Sequence, residues 1–385
     1  MSQEPVTYDA SHITVLEGLE AVRKRPGMYI GTTGERGLHS LVFEAAEWGI
    51  DAILAGRATR VEVTLLSDGG VRVADDGPGA DMAGLATALT VLTAGWSSVG
   101  GRYPIRTVMG QPSIVNALSR RLAAEVRSEG RREVREYACG APAVSDAGSD
   151  AGSVTDSDIE VEAASGSGTA FTFWPDPDIF ESTDVSFEVL VERFRELAFL
   201  YRELDFVLID ERSEPRSLRL HFPGGVREMV AHLDGDGEAD IVAESDIVGF
   251  EQDEPQMAGM MEIAWRWRGF GEGQVHGFAN ARATLGGGTH VLGFRDGVAG
   301  ALTAHARERG LLAATDPDVE WDAIGAGLTA VVSVKLEHPQ FEGCTRDTLS
   351  NAEVRGYVRQ AVERHFGAWL ADHPQQATEV LAQTV

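Results

Sequence analysis

A long helical stretch followed at once by two alternating stretches is the feature that most constrains the fold. Within residues 36–56, apolar side chains recur at helical spacing up to Gly56, which predicts an amphipathic helix. The next segments, "RVEVTLL" (60–66) and "GVRVADDG" (70–77), alternate apolar and polar residues around the turn "SDGG" and predict a β-hairpin. An α+β fold is therefore expected.

The rest of the chain divides into two halves of mixed composition. Further strands are predicted at "LAAEVRSE", "REVREYACG" and "GTAFTFWP", and a helix over 187–202 closes the first half. Residues 145–168 are acidic and poor in apolar side chains, which predicts a flexible loop. Beyond about residue 220 a second α+β unit begins. Its signs are the strands "IVGFEQ", "MEIAWRWRG" and "TAVVSVKLE" and the helices "VLGFRDGVAGALTAHARERG" and "NAEVRGYVRQAVERHFGAWLADH".

The composition favours a soluble protein of the cytoplasm. The chain of 385 residues is 43% hydrophobic and begins with the polar stretch "MSQEPVTYDAS", so neither a membrane span nor a signal sequence is predicted. A formal charge of −27 argues against direct nucleic-acid binding, which needs clustered basic side chains. Two cysteines, Cys139 and Cys344, are too few for a disulfide framework or a cysteine-based metal site.

Three features in the first half suggest a ligand pocket. Glu44, Trp48 and Asp51 share one face of the predicted helix, because residues at these spacings are neighbours on a helix surface. The acidic turn "DDGPG" (75–79) follows a predicted strand. An aspartate there can accept a hydrogen bond from a planar heterocycle, while glycine lets the backbone approach it closely. The third feature is "GTAFTF" (168–173), and taken alone the turn could equally be an ordinary β-turn.

Several motifs follow one another along the chain. They are, in chain order, "YDASHITVLEGLEAVRKRPGMYIG", the Glu44 helix, "DDGPGA", "IVNALS", "GTAFTFWPDPDIF", "FRELAFL", "GGGTHVLGFR" and "PQFEGCTRDTLSNAEVRG". Their order resembles that in the N-terminal half of the DNA gyrase B protein. The resemblance implies a GHKL ATPase superfamily member, with a Bergerat-type α/β sandwich followed by a ribosomal S5-like transducer domain. The implied bounds are an N-terminal dimerisation arm at 1–15, a nucleotide-binding-like domain at 16–219 and a transducer domain at 220–385.

The resemblance also implies roles for single residues. Glu44 matches the general base that activates the attacking water, and Asp75 matches the aspartate that reads adenine. The other pocket residues that it implies are Trp48, Asp51, Gly77, Gly79, Tyr103, Gly110, Arg135, Thr169 and Arg346. Arg135 matches a rim arginine that binds aminocoumarin inhibitors, although on its strand it could instead alternate outward. Tyr8 and Ile13 match the arm that reaches into the other protomer, which implies a homodimer.

The magnesium and phosphate side of the pocket departs from the family's pattern. Glu47 and Trp48 stand where the family has an Asp-Asn pair, and indole has no oxygen to replace the asparagine that holds Mg²⁺. Trp48 could intrude where the triphosphate would lie, or it could turn into the core. The lid segment "TVMGQPS" (107–113) has one glycine, Gly110, and Pro112 lacks a backbone N–H for phosphate.

Several charged residues of the family's pattern are also replaced in this sequence. Ser97 stands in place of the lid lysine, and Arg346 stands in place of the transducer lysine that contacts the γ-phosphate. Pro78 and Ala52 replace both members of an ion pair. The pocket is therefore predicted to be repurposed, with ATP and Mg²⁺ doubtful as cofactors.

Four functions follow from these observations. The first is a dimeric, nucleotide-operated ATPase and transducer module with impaired Mg·ATP hydrolysis. The second is a non-catalytic binder of gyrase subunits or of gyrase inhibitors. The third is a small-molecule enzyme of secondary metabolism that uses Glu44 as general acid or base beside Trp48. The fourth is a structural paralogue without a ligand.

The sequence contains neither a DNA-cleavage motif nor a histidine pattern typical of a metal site. No acidic E-G-D-S-A type motif is present, so neither a DNA-cleavage domain nor a competent topoisomerase is expected. His39, His276 and His290 show no metal-site spacing, and no metal site is predicted.

Overall fold

The computed structural model describes residues 18–92, 111–143, 160–163, 165–235, 247–267, 273–324, 327–343 and 346–384. These residues form two compact units. The first contains the described residues before Val191 together with Val207–Leu218, and the second contains Val191–Phe206 and the described residues from Arg219 onward. Helices and β-sheets occur in both, so the predicted α+β class is confirmed.

The first sheet has nine strands among the described residues. The helices before residue 201 are α1 (Leu19–Lys24), α2 (Gly27–Ile30), α3 (Glu35–Leu54), α4 (Met82–Thr90), α5 (Pro112–Ala117) and α6 (Phe187–Leu200). The strands are β1 (Val61–Leu65), β2 (Val71–Asp75), β3 (Ser119–Ser128), β4 (Arg131–Ala138), β5 (Ala141–Pro142), β6 (Glu160–Ala163), β7 (Gly168–Pro175), β8 (Phe206–Asp210) and β9 (Arg216–Leu220). The order across the sheet is β5-β4-β3-β7-β2-β1-β8-β9, and β6 pairs with β4.

Helix α3 covers the centre of this sheet from one face. Strands β1 and β2 pair antiparallel with Leu65 opposite Val71, as the predicted hairpin requires. Alternate residues such as Val63 and Val73 are buried because they face the helix, where they lose contact with water. Gly49 permits close packing, since a Cβ on it would lie 2.6 Å from the Val61 side chain. This contact places the C-terminal half of α3 over the start of β1 and the end of β2.

Strand β6 lies inside the segment that the sequence predicts to be a loop. It pairs antiparallel with β4, with Ala163 opposite Arg131. The Arg132 guanidinium bonds Glu125 on β3 at 2.9 Å and Glu162 on β6 at 3.1 Å. The loop prediction is wrong here because the alternating run is only a few residues long and lies within acidic, small residues that give no helical or strand period.

The second sheet has five strands among the described residues, in the order β10-β11-β14-β12-β13. Its strands are β10 (Val248–Glu254), β11 (Gly259–Trp267), β12 (Gln274–Ala279), β13 (Arg282–Ala283) and β14 (Leu328–Leu336), and a separate pair is formed by β15 (Phe341–Glu342) and β16 (Thr348–Leu349). The helices are α7 (Val226–Leu233), α8 (Thr289–Glu308), α9 (Trp321–Ile324), α10 (Ala352–Asp372) and α11 (Pro374–Thr384). The long helices α8 and α10 confirm the two predicted from helical periodicity.

One face of the second sheet is apolar and the other carries buried charge. Trp265 and Val332 belong to the hydrophobic core that α8 and α10 share. On the opposite face, the Arg266 guanidinium lies 2.6 Å from the Asp234 carboxylate, and both side chains are buried. Among the described residues there is no helix that combines the length and the apolar character needed to cross a lipid bilayer.

Candidate functional site

Helix α3 carries three of the predicted site residues, Glu44, Trp48 and Asp51, on one face. Glu44 is buried, while Trp48 and Asp51 are half-buried. The helix contacts β1, β2 and β7 below it and α5 beside it. We call the place where this part of α3 meets the sheet and the start of α5 the candidate groove.

The Glu44 carboxylate is held by the start of α5. Its Oε2 atom accepts the backbone N–H of Gln111 at 2.8 Å, and the residue is only 1% exposed. Gln111 is the N-cap of α5 and Pro112 is its first helical residue, so this helix end offers one backbone N–H fewer than usual. The Glu44 carboxylate thus already accepts a backbone N–H from the segment that resembles the family's phosphate-binding lid.

Trp48 packs against the sheet one helical turn from Glu44. Its ring centroid lies 5.8 Å from that of Phe171, with the rings at 88°, an edge-to-face arrangement that aromatic pairs favour. Phe171 is buried on β7 opposite Val73 of β2. The indole keeps part of its surface exposed. It therefore packs on Phe171 with part of its surface exposed, and it is not fully withdrawn into the core.

The acidic turn after β2 is tightly built. The backbone N–H of Gly77 donates to Asp75 Oδ1 at 2.9 Å. Gly79 has a φ of +85°, and a Cβ on it would lie 2.5 Å from the Arg127 carbonyl oxygen. Glycine is required at this position by both its backbone conformation and the lack of space.

The start of β7 joins the same turn. The Ala80 N–H donates to Thr169 Oγ1 at 3.0 Å. Gly168, the first residue of the "GTAFTF" stretch but not one of the predicted site residues, has a φ of +148°, and a Cβ there would lie 2.2 Å from the Asp75 carbonyl oxygen. Asp75, Gly77, Gly79 and Thr169 therefore lie together, in the order that the motifs predict.

Asp75 projects toward the helix layer. Burial raises the pKa of Asp75, and the backbone N–H groups of Gly77 and Thr169 oppose this rise without cancelling it. Asp75 continues the inward set of β2 that includes Val73, and its Cβ would lie 3.3 Å from a Cβ placed on Gly49. When ionised, the carboxylate can accept a hydrogen bond from an amino group in the groove.

The residues present do not fit a magnesium ion in this groove. Mg²⁺ demands oxygen ligands in a near-octahedral arrangement, and the Trp48 indole offers none. One oxygen of Glu44 already accepts the Gln111 N–H. Throughout the part of the chain that the structure describes, no group of three or more His, Cys, Asp or Glu side chains could hold a metal ion.

A separate cavity of about 490 Å³ lies between α4 and β4. Its lining includes Met82, Thr87, Arg135 and Tyr137. Arg135 is 8% exposed because it pairs opposite the buried Ala124 of β3 and therefore faces inward. The alternative in which Arg135 points outward is thus wrong. The Arg135 Nε and the Tyr137 hydroxyl are buried without a hydrogen-bond partner.

The remaining predicted residues lie elsewhere. Arg346 belongs to the second unit, where it is exposed and has a φ of +57°. Tyr8, Ile13, Ser97, Tyr103 and Gly110 fall outside the described residues.

Two of the histidines are structural. His39 Nε2 accepts the Ser186 backbone N–H at 2.9 Å. His290 Nε2 lies 3.1 Å from Thr284 Oγ1, and burial lowers the pKa of His290 to about 3. A neutral imidazole is expected at both positions at neutral pH, because burial also lowers the pKa of His39.

Nearly the whole chain aligns with the sequences of curated relatives. The family model described as DNA gyrase B matches residues 225–385. The gyrase B protein of Streptomyces coelicolor is 40% identical, over 98% of this chain and 57% of that protein. The novobiocin-sensitive gyrase B protein of Streptomyces niveus is 38% identical, over 98% of this chain and 58% of that protein. The chain thus spans less than two thirds of the length of these relatives.

Solved structures extend the likeness to the fold. The 43K ATPase domain of Thermus thermophilus gyrase B, solved in complex with an aminocoumarin, superposes with a TM-score of 0.76 and 30% identity, covering 95% of this chain and 93% of that one. The gyrase B protein of Myxococcus xanthus gives a TM-score of 0.74 and 25% identity, covering 95% and 99%. With sequence and fold in agreement over nearly its full length, the chain belongs to the DNA gyrase B family and has the GHKL fold of its ATPase region.

Proposed function

We propose that this chain is a gyrase-B-type ATPase and transducer module whose pocket binds a planar heterocyclic ligand without magnesium-dependent ATP hydrolysis. The observation that carries the proposal is the edge contact of Trp48 on Phe171. An aromatic wall stands where the family resemblance puts the magnesium-binding amide, so the pocket is repurposed on its phosphate side.

The heterocycle side supports ligand binding. Asp75 faces the groove, its turn is fixed by the Gly77 N–H, and the Thr169 hydroxyl is engaged by the turn backbone. These contacts fix a carboxylate acceptor in advance of binding, which lowers the cost of ordering the site. Trp48 supplies no magnesium ligand on the phosphate side, while the Asp75 carboxylate is in place to accept a hydrogen bond from the heterocycle. This combination favours a protein that binds the ligand over one that hydrolyses ATP.

The wider role is proposed by analogy with the relatives, which are gyrase B proteins. We therefore place this chain in the cytoplasm as a homodimer that pairs with gyrase subunits. In this role it makes no direct contact with nucleic acid.

Calorimetry on the purified protein tests the proposal. We expect the wild type to bind adenosine, and to bind the non-hydrolysable analogue AMPPNP no more tightly when Mg²⁺ is added. Trp48→Phe keeps a ring against Phe171 and is the matched control for Trp48→Asn, which removes the wall but supplies an amide oxygen. Tight, magnesium-dependent AMPPNP binding by the wild type, with ATP turnover that Glu44→Gln abolishes, would overturn the proposal.

A second candidate function is the capture of gyrase inhibitors. The observation that favours it is the cavity between α4 and β4, where the buried Arg135 guanidinium has an unpartnered Nε. The related Thermus thermophilus domain was solved with an aminocoumarin. We expect an aminocoumarin to raise the melting temperature of the wild type but not of Arg135→Leu. Equal shifts in both proteins would exclude Arg135 as the binding group.

An acid–base enzyme that uses Glu44 remains a prediction from the sequence. Its test is the conversion of a metabolite by the wild type and its loss in Glu44→Gln.

A further inference from the structure

The cavity between α4 and β4 contains a buried positive charge that no described residue neutralises. Arg135 is 8% exposed and lines this cavity of about 490 Å³. Within the described part of the chain its side chain forms no ion pair, and its Nε atom has no hydrogen-bond partner. A guanidinium stays charged when it is buried, and a buried charge without a partner is costly. The site is therefore suited to an anion that the chain itself does not supply.

The Tyr137 hydroxyl lies on the same side of β4. Tyr137 is 1% exposed, and among the described residues its hydroxyl has no hydrogen-bond partner. It lines the same cavity as Arg135, because residues two apart on a strand face the same side, about 7 Å from each other. Burial raises the pKa of the Tyr137 hydroxyl, and the positive charge of Arg135 opposes this rise. The two groups are thus near each other but do not meet hydrogen-bonding geometry, and both keep a donor for a ligand.

The other polar groups that line the cavity are already engaged or acidic. The Asp81 carboxylate caps α4 by accepting a backbone N–H at 2.9 Å, and the Thr87 and Thr90 hydroxyls donate to helix carbonyls at 3.1 and 2.8 Å. Glu133 also lines the cavity, and its negative charge disfavours a second acidic group on a ligand. The remaining lining is apolar, from Met82, Ala83, Ala86 and Pro142.

A carboxylate matches the two unused donors. Its two oxygens can accept the Arg135 Nε–H and the Tyr137 O–H together, and its charge neutralises the guanidinium. A neutral amide of the same shape offers one acceptor oxygen, and its NH₂ group would face a donor. An amine would be repelled by Arg135. The chemistry of this wall therefore favours one ionised acidic group.

We propose that the cavity between α4 and β4 binds a carboxylic acid with an apolar body, and that Tyr137 acts with Arg135 to select the ionised acid over its neutral analogue. The inference rests on the second candidate function in placing a ligand in this cavity, and it extends that function to acids without a coumarin ring. It does not need the heterocycle site at Asp75.

Two probes that differ only in the acidic group test this inference. They are naphthoate and naphthamide, which carry a carboxylate and an amide at the same position of one bicyclic ring. Ligand-observed NMR titration measures the affinity of both, even when binding is weak. We expect naphthoate to bind the wild type on the order of tenfold more tightly than naphthamide, because hydrogen bonds to a charged group are the stronger ones.

Variants assign this preference to the two residues. Tyr137→Phe removes only the hydroxyl and should reduce the preference for naphthoate by at least about threefold. Arg135→Met removes the charge and should abolish the preference. Tyr201→Phe removes another buried hydroxyl without a hydrogen-bond partner, from the second unit, and as the matched control it should leave both affinities unchanged.

Thermal unfolding of the ligand-free proteins gives an independent measurement. Arg135→Met should raise the melting temperature, because it removes an uncompensated buried charge. A lower melting temperature would mean that the chain itself stabilises this charge, and that result would contradict the inference.

The binding outcomes separate this inference from the proposed function. Equal affinities for the two probes, or no binding of naphthoate, would overturn it, and a preference that survives in Tyr137→Phe would exclude Tyr137. Adenosine that binds while naphthoate does not would keep the heterocycle site and refute only the acid site. An aminocoumarin that raises the melting temperature of the wild type while naphthoate does not bind would likewise keep inhibitor capture alone.

Discussion

The Glu44 carboxylate and the Gln111 backbone N–H form a buried hydrogen bond of 2.8 Å that ties α3 to α5. The two residues are 67 positions apart in the chain, so the bond fixes the closure of a long loop. Glu44, which matches the general base of the family, therefore contacts a backbone N–H donor and not bulk solvent.

Two substitutions of Glu44 should differ in stability. Glu44→Gln keeps a side-chain oxygen for the Gln111 N–H, whereas Glu44→Leu leaves that buried donor unpaired. We expect Glu44→Leu to lower the free energy of unfolding by about 1–3 kcal/mol more than Glu44→Gln. Urea unfolding followed by circular dichroism measures the difference. Equal losses would mean that water replaces the carboxylate at this site.

Asp75 and Asp76 are adjacent carboxylates with opposite effects on stability. Burial raises the pKa of Asp75. A raised pKa means that the folded state binds its proton more strongly than the unfolded state. Stability from this group is therefore present at acidic pH and is lost as pH rises through the folded pKa. We expect Asp75→Asn to raise the melting temperature at neutral pH while abolishing ligand binding.

Asp76 is the matched control. Burial alone would raise the pKa of Asp76, but hydrogen bonds from Thr59 and Arg60 hold it below its usual range. Its contribution is present at neutral pH and is lost as pH falls through the folded pKa. Asp76→Asn should thus lower the melting temperature at neutral pH. Melting curves from about pH 3 to about pH 8 measure both variants, and shifts of the same sign would contradict the assignment.

Alanine substitutions at Gly79 and Gly130 distinguish the cost of backbone strain from the cost of a steric clash. Both adopt positive φ, +85° and +77°, so alanine costs roughly 1–2 kcal/mol at either position. Only at Gly79 would the new Cβ also meet a backbone oxygen, that of Arg127 at 2.5 Å, whereas Gly130 has open space. We expect Gly79→Ala to destabilise the protein by at least about 1 kcal/mol more than Gly130→Ala. Denaturant titrations that give the same loss would show that the turn moves to accommodate the methyl group.

Local periodicity was enough to predict the elements that position the site. The apolar spacing of 36–56 gives α3, and the alternation around the "SDGG" turn gives β1 and β2 in their observed pairing. These signals work because side-chain direction repeats with the period of the element itself. Strand β6 was missed because four residues hold only two periods of alternation.

The site was predictable only where its residues are close in sequence or part of a motif. The acidic turn supplies Asp75, Gly77 and Gly79 in one stretch, and the family resemblance adds Thr169. The partner of Glu44 depends on where α5 begins, and α5 is a helix of 6 residues that starts at a proline. The inward direction of Arg135 depends on the register between β3 and β4, which the sequence of one strand does not contain.

The second unit offers a comparison between a buried and an exposed ion pair. Arg266 and Asp234 are 2.6 Å apart and almost fully buried, and the Thr329 hydroxyl donates to the same carboxylate at 2.6 Å. Arg359 and Glu363 are 2.9 Å apart on α10, where the arginine side chain is 54% exposed and the glutamate side chain 33% exposed. Removing one member of a buried pair leaves an uncompensated charge away from water, which typically costs about 3–5 kcal/mol. An exposed pair contributes about 1 kcal/mol or less, because water and salt screen it.

Arg266→Met should therefore lower the free energy of unfolding by several kcal/mol, on the order of the buried-pair cost, while Arg359→Met changes it by less than about 1 kcal/mol. Chemical denaturation at low salt and at about 0.5 M salt measures both. Salt should reduce the small effect of Arg359→Met and leave that of Arg266→Met nearly unchanged, because ions do not reach the buried pair. A double variant, Arg266→Met with Asp234→Asn, removes both charges and should recover part of the lost stability. If it is no more stable than Arg266→Met alone, the loss comes from the packing of the arginine side chain and not from the unpaired carboxylate.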